Sequence, residues 1–154
     1  MKNLWNREMS KPRILLDTNI RISGLVFNGN EHQILKKAGR SSVILVLTDF
    51  ILLEIRKVLS DKLKGYEKLV NVFLKHTLYE LIPRELIQEP LSNCEGKISD
   101  KKDTHILVSV MILDPDYIVT GDRELREELN NYLNSNKAVT STEILEILEI
   151  MNYY

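Results

Sequence analysis

The chain has 154 residues, 44% hydrophobic and 28% charged, with 21 Lys and Arg against 22 Asp and Glu for a net charge of −1. That length fits one compact domain with its own core, and no apolar run approaches the roughly 18 residues that span a bilayer. The single cysteine, Cys94, excludes an intrachain disulfide and, with only His32, His76 and His105 for company, a Cys/His zinc cluster; it fits a reducing, cytoplasmic setting.

Residues 1–11 are polar, carry no signal-peptide stretch and read as a flexible N-terminal tail, leaving 12–154 as a single domain. Short β-branched apolar runs then alternate with helical patterns, which predicts an α/β fold: three α/β/α layers around a central, mainly parallel sheet. The first strand spans 13–17 and a helix covers about 20–27. Asn28-Gly29-Asn30 breaks that helix, and Asn30 is suited to cap the next one, which Gly39 ends. The run Val43-Ile44-Leu45-Val46-Leu47 is a second strand, apolar enough to be buried on both faces. Thr48 caps a helix over 49–62. The helical pattern restarts at Gly65 and runs to about 76. A short strand over 78–82 stops at Pro83. Residues 83–99 hold Pro83, Pro90 and Gly96 and read mostly as loop. A helix over 100–113, a strand over 117–120, a helix from Gly121-Asp122 to about 133, a short strand near 138–139 and a last helix over 141–150 complete the chain. Thr140 with Glu143 has the spacing of a capping box.

Four acids attract attention on this layout. In open parallel sheets ligands gather outside the carboxyl ends of the strands. Asp17 ends the first strand and Asp122 follows the fourth. Glu54 shares a helix face with Ile51 and Val58, and Asp103 shares one with Ile106, Leu107 and Val110. Carboxylates on apolar stripes are costly unless a cation or strong hydrogen bonds compensate them. Hard oxygen donors without cysteine or clustered histidine suit Mg²⁺ or Mn²⁺. Phosphodiester hydrolysis needs such a site, and no Ser or Cys nucleophile with an adjacent base is evident. With these four acids set aside, 18 acids remain against 21 bases, a mildly basic background for a phosphate.

Each acid also has a structural reading. Asp17 and Asp122 are both placed as helix caps, Asp103 suits the first turn of a helix dipole, and Glu54 can pair with Lys57 at the rim. Asp100 competes with Asp103, but only Asp103 has the apolar partners on its own face, and Asp100 reads as a cap. His105 lies about 200° round the helix from Asp103 and so is not assigned as a ligand.

The segments around these acids resemble the PIN-domain family. Ile14-Leu15-Leu16-Asp17-Thr18-Asn19 resembles its opening strand, Leu53-Glu54-Ile55 with Val58-Leu59 its second-acid helix, Asp100 to Leu107 its third-acid segment, and Asp116 to Asp122 its fourth block. Val139 to Leu148 resembles its closing strand and helix. Asp114-Pro115 and Ser109 depart from the small residues usual there. The resemblance implies a PIN fold and Mg²⁺- or Mn²⁺-dependent RNA cleavage. It also implies frequent homodimers and, in the prokaryotic VapC-type branch that this layout is most similar to, a toxin neutralised by an antitoxin protein. On that resemblance Asp17, Glu54, Asp103 and Asp122 are catalytic metal ligands, and Asn19 and Thr120 orient them.

Lys36, Lys37 and Arg40 form one basic cluster and Arg56, Lys57, Lys62, Lys64 and Lys68 another. RNA contacts are expected from Lys36, Lys37, Arg56 and Lys57 within them, although solvated helix faces explain the same clusters. Tyr153-Tyr154 is a candidate for base stacking. Two other functions compete: a phosphatase of the haloacid-dehalogenase type with Asp17 as nucleophile, whose usual second Asp is replaced here by Asn19, and a non-catalytic domain that binds RNA or a partner.

Overall fold

A computed structural model of the chain describes residues 11–40 and 42–152. The expected tail, save Lys11, and the terminal tyrosines lie outside the described residues. Five strands form one all-parallel sheet: β1 (Arg13–Leu16), β2 (Ile44–Thr48), β3 (Tyr79–Ile82), β4 (Tyr117–Val119) and β5 (Ala138–Val139), in the order β3-β2-β1-β4-β5. Among the described residues eight helices accompany them: α1 (Thr18–Val26), α2 (Asn30–Gly39), α3 (Asp49–Lys62), α4 (Glu67–Lys75), α5 (Glu85–Asn93), α6 (Thr104–Leu113), α7 (Arg123–Leu133) and α8 (Ser141–Asn152). A 3₁₀ turn, Lys101–Asp103, leads into α6. None of the described helices is long and apolar enough to cross a membrane.

The period-two alternation of the strands divides the core. Leu15, Val46 and Ile118 point to one face, where Ile51, Ile55 and Leu59 of α3 and Ile106, Leu107 and Val110 of α6 cover them. Ile14, Leu16, Leu45 and Val119 point to the other, under Ile34 and Leu35 of α2 and Ile144 and Leu148 of α8. Both faces are therefore covered, as the continuous apolar strands require. Each fully buried Leu or Ile contributes roughly 1.5–3 kcal/mol. Gly24 lets α1 sit directly on α2: a Cβ there would lie 2.6 Å from Leu35 Cδ1 and 2.9 Å from the Glu31 carbonyl oxygen.

Three expectations need correction. Residues 83–99 are not mostly loop. They contain α5, with Pro90 inside it, because Ile87 is fully buried against the core and α5 packs on α6. Burial of Ile87 outweighs the hydrogen bond that Pro90 removes. Asn30 does not cap α2. Gly29 holds the cap position, and the Asn30 amide donates instead to Thr142 Oγ1 at 3.2 Å, tying α2 to α8. The first helix begins at Thr18, directly after Asp17 rather than two residues later. Thr48, by contrast, caps α3 as its sequence position predicts, accepting from Ile51 N at 3.3 Å.

The chain leaves β1 for β2 on one side and returns to β4 on the other. The connections thus diverge at β1, opening a crevice at the carboxyl ends of β1 and β4.

Candidate metal centre

The ladder between β1 and β4 pairs Leu16 with Val119 and continues one step further, with Asp17 N donating to the Val119 carbonyl at 3.0 Å. Asp17 therefore comes alongside Thr120. The buried Thr120 hydroxyl donates to Asp17 Oδ2 at 2.9 Å and accepts from Asp122 N at 3.1 Å. Arg126 secures the same residue, its Nη1 donating to the Thr120 carbonyl at 2.9 Å. Asp122 caps α7, with Oδ1 accepting from Leu125 N at 3.2 Å. Its expected cap role is met with one oxygen, and the side chain still borders the crevice.

Glu54 reaches in from α3. Its Oε2 accepts from Thr18 Oγ1 at 2.6 Å and its Oε1 lies 3.2 Å from His105 Nε2. Glu54 does not use Lys57 as its partner. Asp103 closes the 3₁₀ turn, whose start is capped by Asp100 through a 3.0 Å bond from Lys102 N. Asp100 is thus the cap that its sequence position predicts, and Asp103 is half-buried at the crevice wall.

All four acids border one groove of about 760 Å³, together with Thr18, Asn19, Glu31, Asp61, Asp100, Lys57, Lys62 and Lys102. Thr120 lies beneath it. Lys36, Lys37 and Arg56 do not line it; the Arg56 guanidinium donates to Asn71 Oδ1 at 3.0 Å, held toward α4. Sequence reasoning missed Thr18 and Lys102, whereas Lys57 and Lys62 belong to a basic cluster that it weighed for RNA contact. It left His105 unassigned because it measured that residue only against Asp103. The Asp-Thr pair at 17–18 was the one local signal for Thr18.

The electrostatics follow from this crowding. Burial, reinforced by the charges of Asp17, Asp100 and Asp122, pushes the Asp103 carboxyl up to about 6. Burial also raises Asp17, against the lowering effect of the Thr120 hydrogen bond. At Glu54 burial acts to raise the value, but the hydrogen bonds from His105 and Thr18 outweigh it and leave the carboxyl below its usual range.

The donor set is all hard oxygen, and the carboxylate charges that add to burial in raising Asp103 are what a bound divalent cation offsets. The chemistry of the residues fits Mg²⁺ or Mn²⁺. As arranged, however, no group of three or more His, Cys, Asp or Glu side chains among the described residues could hold a metal ion. The acids are gathered on one groove without being closed into a cage.

The family model described as a PIN domain matches residues 13–124. Among solved structures, the fold is similar to a chain of the crystal structure of FitAcB from Neisseria gonorrhoeae, at 20% identity and a TM-score of 0.48, covering 76% of this chain and 93% of that one. A search of curated proteins gives no match.

Proposed function

This chain belongs to the PIN-domain family, and from that premise we propose that it is a metal-dependent endoribonuclease, the toxin of a toxin–antitoxin pair. The observation that carries the reading is the convergence of Asp17, Glu54, Asp103 and Asp122, from four separate segments, on one groove at the carboxyl edge of the sheet, where Asp103 is pushed up to about 6. On this reading those four carboxylates hold Mg²⁺ or Mn²⁺. Such a cation, when bound, acidifies water and offsets negative charge at a phosphodiester.

The chain's own residues prepare the site. Thr120 fixes Asp17 and the Asp122 backbone with one hydroxyl. Thr18 holds one Glu54 oxygen, and His105 lies beside the other. Asn19 lies at the groove, beside Asp17, to orient water or substrate. Seven acids and three lysines line the groove, so it repels a bare phosphodiester and admits RNA only with added positive charge. Lys57, Lys62 and Lys102 supply part of that charge and position phosphates. An antitoxin segment filling the acidic groove, and a homodimer, complete the proposal by family analogy.

The test is RNA cleavage with and without Mg²⁺ or Mn²⁺, in the parent chain and in Asp17→Asn. The expected result is cation-dependent cleavage that Asp17→Asn abolishes while the fold persists. Cleavage that survives chelation, or a fully active Asp17→Asn, would overturn it. RNA bound but left intact would point to a non-catalytic binding domain, and a trapped aspartyl-phosphate on Asp17 to a phosphatase.

A further inference from the structure

We infer that His105 is a positioning residue that fixes the Glu54 carboxylate at the groove; the inference rests on the nuclease reading above. A glutamate head on a flexible side chain is costly to immobilise, and here groups from two different helices meet its two oxygens. Thr18 Oγ1 of α1 holds one oxygen at 2.6 Å, and His105 Nε2 of α6 lies 3.2 Å from the other.

The imidazole is itself held in place. His105 is buried and stacks on Phe50, with ring centroids 5.9 Å apart and planes 25° apart. The Arg84 guanidinium lies 5.4 Å from the Phe50 centroid, and Arg84 N donates to Asp49 Oδ2 at 2.9 Å, so the wall behind the ring is pinned in turn. His105 Nδ1 is buried without a hydrogen-bond partner among the described residues. Buried polar groups are normally satisfied, so this ring gives up one nitrogen's bonding and directs the other at Glu54. That arrangement requires the proton on Nε2, since an unprotonated Nε2 would face the carboxylate with a lone pair.

Two substitutions separate donation from packing. His105→Phe keeps an aromatic ring against Phe50 and removes the donor. His105→Gln keeps an N–H in reach and removes the ring. Mn²⁺ affinity is measured by calorimetry on each folded variant, kcat and KM on RNA beside it, and the His105 tautomer in the metal-free parent at pH 8.5 by long-range ¹H–¹⁵N spectra. The expected results are an Nε2–H tautomer, Mn²⁺ binding and kcat both about 10- to 100-fold weaker in His105→Phe with KM unchanged, and His105→Gln within about threefold of the parent. An Nδ1–H tautomer, a His105→Phe chain that binds Mn²⁺ like the parent, or a His105→Gln chain as weak as His105→Phe would overturn the inference. A parent that binds Mn²⁺, loses it in His105→Phe and yet cuts no RNA would support the role of His105 and overturn the nuclease reading. A parent that binds no Mn²⁺ would end both.

Discussion

The Thr120 hydroxyl donates to Asp17 Oδ2 at 2.9 Å, while the same oxygen accepts the Asp122 backbone N–H at 3.1 Å. One buried side chain thus sets the spacing between the ends of β1 and β4. Thr120→Val removes both bonds at similar volume. Urea unfolding should show a loss of about 1–3 kcal/mol, the cost of leaving buried polar groups unpaired, and nuclease activity should fall about 10- to 100-fold. Thr120→Ser should recover most of both. A Thr120→Val chain with full activity would contradict this account of Asp17.

Asp122 combines a cap and a groove carboxylate, and two variants separate them. Asn caps helices as well as Asp does, whereas Ala loses about 1 kcal/mol. Asp122→Asn should therefore keep its thermal stability and lose cleavage, and Asp122→Ala should lose both. Retained cleavage in Asp122→Asn, measured beside its melting curve, would reduce the residue to a cap.

Asp103, raised to about 6, gives a signed pH dependence. Its folded value lies above the ordinary aspartate range, so the metal-free fold binds this proton more tightly than the unfolded chain does. The associated stability is complete below about pH 4 and is lost as pH rises through 6. Because the group is half-exposed, solvent screening holds the effect to about 1 kcal/mol. Mn²⁺ should reverse the trend, since the ionised form binds it, and affinity should climb between pH 5 and 7 on this titration. Melting curves against pH, with chelator and with Mn²⁺, check both signs. A metal-free stability that rises from pH 4 to 7 in the parent as it does in Asp103→Asn would refute the assignment.

Lys57, Lys62 and Lys102 border the groove and make no ion pair among the described residues. Replacing Lys62 or Lys102 with Ala should raise KM for RNA and flatten its salt dependence by about one ion per lysine, with kcat unchanged. Lys36→Ala should do neither. Salt titrations of RNA affinity separate these outcomes.

Much of the architecture was legible because its signals are local. Apolar runs at Ile14 to Leu16 and Val43 to Leu47 marked buried strands, and Thr48 marked the start of α3. What was missed depends on packing at a distance. Pro90 advertises a break, yet Ile87, four residues after Pro83, anchors a helix that only tertiary burial stabilises. His105 points away from the acid two residues before it and toward Glu54, 51 positions back along the chain, and no helical periodicity within α6 reports that meeting. The placement of the acids at one groove was readable, since Asp17 and Asp122 follow strands and Glu54 and Asp103 share apolar stripes in the sequence. Their incomplete closure was not readable, because it depends on side-chain distances.

The contact at Gly24 makes the two sides of the crevice mechanically unequal. On one side α1 and α2 are in backbone-close contact, with no slack at Leu35 for either helix to slide. On the other, Asp103 rides on three residues of 3₁₀ turn, tethered by Asp100 and by the bond from Ser99 N to Glu128. Short 3₁₀ segments yield more readily than packed helices. The carboxylate of Asp103 thus rests on the shorter support, and that of Asp17 stands beside the more tightly packed pair of helices.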